Sequence, residues 1–287
     1  MKNISLVTIG IPFYNADFFF DTAIRSVLKQ TYTNWKLILV DDGSTDNSLT
    51  IAKKYESLDF RISVFSDGLN RNLAYRLNQI SILADTKYLA RMDADDIMHP
   101  ERIQKQVEIL EKHPNIDVLG TNAYVIDDEN KITGVRRNIE NKIEKTSSFI
   151  HPSIMGKTSW FRENKYDEKM LRSQDAELWY RTKEKSVFYT TREPLLFYRE
   201  YGGKYYIKYM KSIPSYFNLA NRYFRTSEYK KSVDWFISGL KKTGKFLIYG
   251  IFALFNKESF LIKKRSLNIP TKEIEDVKEV LMQIIKH

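Results

Sequence analysis

Three carboxylates fall within four residues at Asp93-Ala94-Asp95-Asp96, directly after Tyr88-Leu89-Ala90-Arg91-Met92. Carboxylates packed so closely repel one another unless a cation or strong donors neutralise them, and hard oxygen ligands suit Mg²⁺ or Mn²⁺. The stretch reads as a metal and phosphate centre. It also has a plainer reading as an acidic helix start, with Asp95 or Asp96 capping a helix that begins near Pro100. Two further polar clusters, Pro12-Phe13-Tyr14-Asn15 and Asp41-Asp42-Gly43-Ser44-Thr45-Asp46, each follow an apolar run.

The runs between the clusters say what must hold them. Ser5 to Ile11 is apolar and β-rich, Pro12 ends it, and Phe20, Ala23, Ile24, Val27 and Leu28 recur at helical spacing. Trp35 to Val40 repeats the strand and Ser48 to Tyr55 the helix. Ile62 to Phe65 leads into a helix near Asn72 to Ala84, and Tyr88 to Met92 is a fourth strand. Alternating units of this size predict a parallel, doubly wound sheet, in which ligands bind beyond the carboxyl ends of the strands. All three polar clusters sit at such ends. No Gly-x-Gly-x-x-Gly and no Walker pattern is present, so a bound nucleotide needs another way to neutralise its phosphates. A cation held by carboxylates is the obvious one.

Farther on, Ile103, Val107 and Leu110 mark an amphipathic helix that stops at His113-Pro114, and Val118 to Val125 is a strand before a turn at 127–130. Residues 131–150 are polar and weakly patterned, which suggests a loop or mobile segment over the site. His151-Pro152 precedes a short strand at Ile154-Met155. Ser173 is placed to cap a helix beginning Gln174-Asp175-Ala176-Glu177-Leu178-Trp179, and Val187 to Thr190 and Leu195 to Tyr198 read as late strands.

Composition bounds the rest. The 287 residues, 43% hydrophobic and 29% charged, are enough for one large domain or two modest ones. With no cysteine, disulfides and thiolate metal sites are excluded, and a reducing cytoplasm is permitted. The stretch from Met1 to Asn15 reads as a first strand rather than a secretory leader. Residues 1–200 balance at 29 basic and 29 acidic side chains, whereas residues 201–287 hold 17 basic and 7 acidic, the whole net charge of +10. A division at residue 200 follows, with an anionic partner expected for the basic part.

Taken together, Ile11-Pro12-Phe13-Tyr14-Asn15, Val40 to Asp46, Ala90 to Asp96 and Gln174 to Trp179 resemble the family 2 glycosyltransferases. The resemblance runs from about Ser5 to Tyr198. It implies the A-type fold of that class, a Rossmann-like mixed α/β sheet flanked by helices, here followed by a C-terminal helical extension. The expected division is a nucleotide-sugar-binding catalytic domain over 1–200 and a basic, aromatic-rich helical extension over 201–287. Position by position, the resemblance places Pro12 and Tyr14 in the nucleotide pocket and Asp42 on the uracil ring. It also makes Asp95 the ligand of Mn²⁺ or Mg²⁺, Asp93 its partner towards ribose or metal-bound water, and Asp96 a support for both. Asp175 matches the catalytic acidic position and would take the acceptor hydroxyl proton, giving inversion at the anomeric carbon. The family usually has Glu-Asp where this chain has Gln174-Asp175.

Softer candidates surround these. His151 matches a frequent His-Pro position, and Arg71, Arg76 and Arg91 are placed to neutralise phosphate. Trp179 lies four residues after Asp175, so one helix face would carry both, and its indole either lines an acceptor pocket or packs in the core. In the tail, the apolar decapeptide 246–255 is flanked by Lys241, Lys242, Lys245 and Lys257. A bilayer span needs about twenty such residues. A helix lying in an anionic membrane interface over 241–265 fits the stretch, and so does a helical subdomain packed on the body. The expected partners are a UDP-linked nucleotide-sugar, a glycan or lipid-linked acceptor, and the membrane surface. That sets the protein in the cytoplasm at the inner face of the membrane, in surface polysaccharide synthesis. A nucleotidyltransferase is the competing enzyme, but it would want a basic residue in Pro12-Phe13-Tyr14-Asn15. A nucleic-acid-binding tail is the competing non-enzyme, disfavoured because the carboxylate-bearing body would repel phosphate.

Overall fold

The computed structural model describes residues 7–136, 142–200 and 204–286, leaving aside the side chains of Thr271 and Lys272. Ser5 and Leu6 of the expected first strand, and residues 137–141 of the expected mobile segment, lie outside that range. Strand β1 (Val7–Phe13), helix α1 (Asp17–Leu28), β2 (Trp35–Asp41), α2 (Ser48–Leu58), β3 (Ile62–Phe65), α3 (Leu73–Leu83) and β4 (Tyr88–Arg91) follow the predicted alternation. Their order in the sheet is β3-β2-β1-β4, all parallel. The chain therefore winds outward from β1 to β3 and then returns to the opposite flank of β1, which opens a crevice at the carboxyl ends of β1 and β4.

Beyond β4 the sheet is mixed. Strand β5 (Ile97–Met98), α4 (Arg102–Lys112), β6 (Val118–Ile126), β7 (Ile132–Val135) and β8 (Ile143–Lys145) lead to a 3₁₀ turn at His151–Ser153, then β9 (Met155–Lys157), α5 (Thr158–Glu163), α6 (Gln174–Thr182) and β10 (Phe188–Arg199). Strand β9 runs antiparallel between β4 and β6, so the wholly parallel arrangement expected from the early repeats ends at β4. The two expected late strands are one. Pro194 lacks a ladder donor, and the pairing of β10 with β6 shifts register on both sides of it without breaking. The weakly patterned 131–150 segment contains β7 and β8, short strands whose backbone pairing with β6 and β10 replaces a side-chain pattern.

Side-chain burial explains the positions of the layers. All seven residues of β1 are buried, and Val7, Ile9 and Ile11 meet Phe20, Ile24 and Val27 of α1. On the other face Gly10 admits α3, since a Cβ there would lie 2.4 Å from Ile80 Cγ2. Gly43 turns the chain after β2 at φ +76°, a conformation that L side chains rarely adopt.

The basic extension is helical: α7 (Tyr205–Arg225), α8 (Tyr229–Leu254), α9 (Glu258–Lys263) and α10 (Thr271–Ile285). Two apolar clusters join it to the body. Tyr216, Leu219 and Tyr223 of α7 and Trp235 of α8 close over Ala176 and Tyr180 of α6, while Val277, Leu281 and Ile284 of α10 cover Ile97, Tyr124 and Phe197 at the far sheet edge. Among the described residues no helix is long and apolar enough to cross a membrane.

Candidate active site

The acidic loop begins where β4 ends. Parallel pairing of β4 with β1 sets Arg91 beside Gly10, and Met92 donates its amide to the Gly10 carbonyl at 3.2 Å, so Asp93 emerges at the crevice. Asp93, Asp95 and Asp96 each offer a carboxylate oxygen, and these atoms all lie within 4.8 Å of one another. Such crowding needs positive charge, and three arginines stand around the loop. The Arg91 guanidinium donates to Asp93 at 2.6 Å. Arg199, the last residue of β10, donates its amide to Asp96 Oδ1 at 2.8 Å and its Nε to the Asp95 carbonyl at 2.7 Å, and it reaches the turn of residues 127–130 through Asp127 and Asn130. Arg102, fully buried, donates to the Arg91 carbonyl at 2.8 Å.

These contacts decide the helix-cap reading. Helix α4 starts at Arg102 with Glu101 before it and without a side-chain cap, so neither Asp95 nor Asp96 caps it. Asp96 instead ties the loop to β10. The protein donors do not exhaust the carboxylates, because Asp96 Oδ2 is buried with no hydrogen-bond partner among the described residues. Burial, then the neighbouring Asp93, pushes the Asp95 carboxyl up to about 6, and burial with Asp95 and Asp93 raises that of Asp96 as well. Hard oxygens held close, an unpartnered buried oxygen and mutual repulsion are the chemistry that a divalent cation relieves, so the residues fit Mg²⁺ or Mn²⁺.

Two cavities meet at this loop, sharing Asp93 and Leu73. The first, of about 660 Å³, is lined by Pro12, Tyr14, Phe18, Asp95, Asp128 and Glu129, among others. The second, of about 790 Å³, is lined by Arg91, His151, Gln174, Asp175 and Tyr198, among others. Asp175 is in the first turn of α6. Ser173 precedes that helix in a left-handed conformation, φ +59°, and makes no side-chain cap. His151 is half-buried, with Nε2 2.7 Å from the Tyr166 hydroxyl, and desolvation of its ring first, then Arg91, holds its imidazole well below the usual range, so it stays neutral.

The structure thus brings Pro12, Tyr14, Asp93 and Asp95 together on one cavity and Asp93, His151, Gln174 and Asp175 on the next. Asp42, Arg71 and Arg76 form a separate ion cluster beside them. Asp42 Oδ1 accepts from the Arg71 amide at 2.7 Å and from Arg76 Nε at 2.8 Å, and both guanidinium groups also bind Asp67. Trp179 is 2% exposed and lies among Phe149, Trp160 and Phe188, which settles its two readings in favour of the core. Residues with no motif complete the site. Tyr166 holds His151, Arg199 holds the acidic loop, and Arg136 and Arg265 join the lining of the second cavity. The buried carboxylate of Glu200, 2% exposed, bridges that last pair at 2.7 and 2.6 Å and also accepts from the Tyr205 hydroxyl. Only the basic character of 201–287 hinted at Arg265.

With the site defined, known proteins can be set beside it. Residues 8–171 match the family described as Glycosyl transferase family 2. EpsE of Bacillus subtilis (strain 168) is 37% identical over 186 residues, 61% of this chain and 66% of EpsE. WfgD of Escherichia coli, a UDP-Glc:alpha-D-GlcNAc-diphosphoundecaprenol beta-1,3-glucosyltransferase, is 36% identical over 129 residues, 45% of this chain and 49% of WfgD. S. aureus TarS 1-349, solved in complex with UDP, superposes with a TM-score of 0.58 at 16% identity over 75% of this chain and 66% of that one. The matched part therefore spans less than two thirds of either relative's length. The fold is the glycosyltransferase A type, with a helical extension. The chain belongs to glycosyl transferase family 2.

A pH-dependent stability follows from the raised Asp95 carboxyl. Its native value near 6, above an unfolded value near 4, means that the stability it contributes is full below about pH 4 and is lost as pH rises through 6. In EDTA, Asp95→Asn is expected to exceed wild type by on the order of 2 kcal/mol at pH 8, the difference closing towards pH 4. Denaturant unfolding at the two pH values checks this, and a variant no more stable than wild type at pH 8 contradicts it.

Proposed function

We propose that the protein is an inverting glycosyltransferase that moves a sugar from a UDP-sugar to a hydroxyl of a glycan or lipid-linked acceptor. The observation that carries this reading is the pair of cavities meeting at Asp93, with the acidic loop on one and Asp175 on the other. Pro12 and Tyr14 flank the nucleotide, with Asp42 and Arg71 at the rim. Asp95 and Asp93, supported by Asp96, would hold Mn²⁺ or Mg²⁺, which when bound supplies positive charge to the departing diphosphate. The lining of the first cavity is itself acidic, with Asp128 and Glu129 beside Asp93 and Asp95 among its residues, and favours a diphosphate that arrives with a cation.

Asp175 takes the proton of the acceptor hydroxyl as its oxygen bonds to the anomeric carbon and the bond to UDP breaks, leaving the electron pair on the diphosphate. One displacement inverts the centre, so an α-linked donor gives a β-glycoside. Neutral His151 and Gln174 line the same cavity and can orient hydroxyls without competing for the proton. Solved TarS complexes contain UDP or UDP-GlcNAc, which supports a UDP-linked donor. The name of WfgD gives a diphosphoundecaprenol-linked acceptor, which supports work on surface polysaccharide at the membrane.

Helix α8 supplies the matching surface. Val233, Ile237, Leu240, Leu247, Ile251 and Leu254 recur at helical spacing and are exposed, while the opposite face meets α7 through Tyr216–Trp235 and Tyr209–Tyr249. Exposed Lys241, Lys245 and Lys257 flank the stripe. An anionic bilayer interface offers both partners that this helix lacks.

Two experiments test these readings. Asp175→Asn should bind UDP with Mn²⁺ as wild type does and lose roughly 10² to 10⁴ in transfer rate, and a normal rate removes Asp175 as the base. The triple variant Leu247→Ser, Ile251→Ser, Leu254→Ser should keep its melting temperature and fail to sediment with phosphatidylglycerol vesicles. A variant that sediments as wild type does refutes the membrane face.

A further inference from the structure

The second cavity holds more positive charge than proton removal by Asp175 requires. Arg91, Arg136, Arg172 and Arg265 line it, against the carboxylates of Asp93 and Asp175. They come from four separate segments: the end of β4, the residue after β7, the loop before α6, and the turn between α9 and α10. A bridge between Val135 and Leu267, with amide-to-carbonyl distances of 3.0 and 2.8 Å, brings the second and fourth together.

Their compensation is incomplete. Arg91 gives Nη2 to Asp93 but keeps Nε and Nη1 buried, with no hydrogen-bond partner among the described residues. One carboxylate, Glu200, serves both Arg136 and Arg265. Arg172 is exposed and makes no ion pair among the described residues. Burial holds the neighbouring Lys208 below the usual lysine range; Arg265 and Arg172 push the same way, while Glu200 and Asp95 oppose it. A neutral sugar has no use for such a cluster, whereas planar guanidinium groups match the oxygens of phosphate.

We infer that the second cavity holds a phosphate or diphosphate ester carried by the acceptor, so that the acceptor is an anion recognised by Arg91, Arg136, Arg172 and Arg265. The inference rests on the reading of Asp175 as the base facing that acceptor. The donor's own diphosphate belongs with the carboxylate loop on the first cavity, across Asp93 from these arginines. Arg265 lies beyond the family match, so the extension would complete the acceptor site as well as brace the fold.

Isothermal titration calorimetry of the full chain in EDTA, with inorganic pyrophosphate as probe, tests this. Wild type should bind. Arg172→Gln, at an exposed position, should weaken binding about tenfold, and Arg172→Gln with Arg265→Gln further, while affinity for UDP with Mg²⁺ moves less than about twofold. Loss of UDP affinity in parallel assigns the cluster to the donor and overturns the inference. So does unchanged pyrophosphate affinity in both variants, or no binding by wild type. Phosphatidylglycerol vesicles should be retained when pyrophosphate is added, and their release assigns the arginines to a lipid headgroup instead. Failure of wild type to bind UDP with Mg²⁺ would sink the nucleotide-sugar reading separately, with pyrophosphate binding still measurable.

Discussion

Concentrated negative charge at the end of β4 is the constraint to which the surrounding structure answers. Carboxylates of Asp93, Asp95 and Asp96 within 4.8 Å of one another cannot all ionise at little cost in a partly buried place. Arg91, Arg102 and Arg199 come from three elements to meet that charge, and each uses its hydrogen bonds to fix backbone or side chain of the loop. Removing one of these arginines costs about 3–5 kcal/mol, because the carboxylates are then left uncompensated. The protein supplies enough positive charge to hold the loop and leaves Asp96 Oδ2 without a hydrogen-bond partner among the described residues, an arrangement that a divalent cation fits.

Topology turns this local charge problem into a site. The return of the chain to β4 after β3 places the acidic loop next to Pro12 and Tyr14 at the end of β1. Antiparallel β9, directly after the His151–Ser153 turn, brings His151 to the same edge, and α6 delivers Asp175. Packing keeps α6 there. Its outer face is clamped by α7 and α8, with Tyr180 donating to Asp234 at 2.7 Å and Arg222 paired with Asp167 at 2.6 Å. The extension therefore acts on the site through contacts.

Much of this was legible in the sequence, for identifiable reasons. The first four strands and three helices alternate with strong periodicity, and turn-forming residues mark their carboxyl ends, so Asp93 and Asp95 stand out from the pattern, whereas Asp175 is marked only by the family resemblance. What escaped depends on long-range pairing. The direction of β9 is set by its neighbours, since a three-residue strand carries no pattern of its own. The continuity of β10 through Pro194 rests on a register shift that composition does not encode. Arg199 and Arg136 read as ordinary charged residues near strand ends, and Arg265 lay in a basic stretch whose excess charge suggested a membrane or nucleic acid. The partner of helix α10 is not legible locally, because its apolar face, Val277, Leu281 and Ile284, meets a sheet edge built from the distant residues Ile97, Tyr124 and Phe197.

The most direct test of the account is thermal unfolding with UDP, in Mn²⁺ and in EDTA, on wild type and Asp95→Ala. If the acidic loop holds the donor diphosphate through a divalent cation, UDP raises the melting temperature of wild type only when Mn²⁺ is present, and Asp95→Ala loses that rise. Equal stabilisation by UDP in Mn²⁺ and in EDTA, or an Asp95→Ala protein that responds as wild type does, would contradict it.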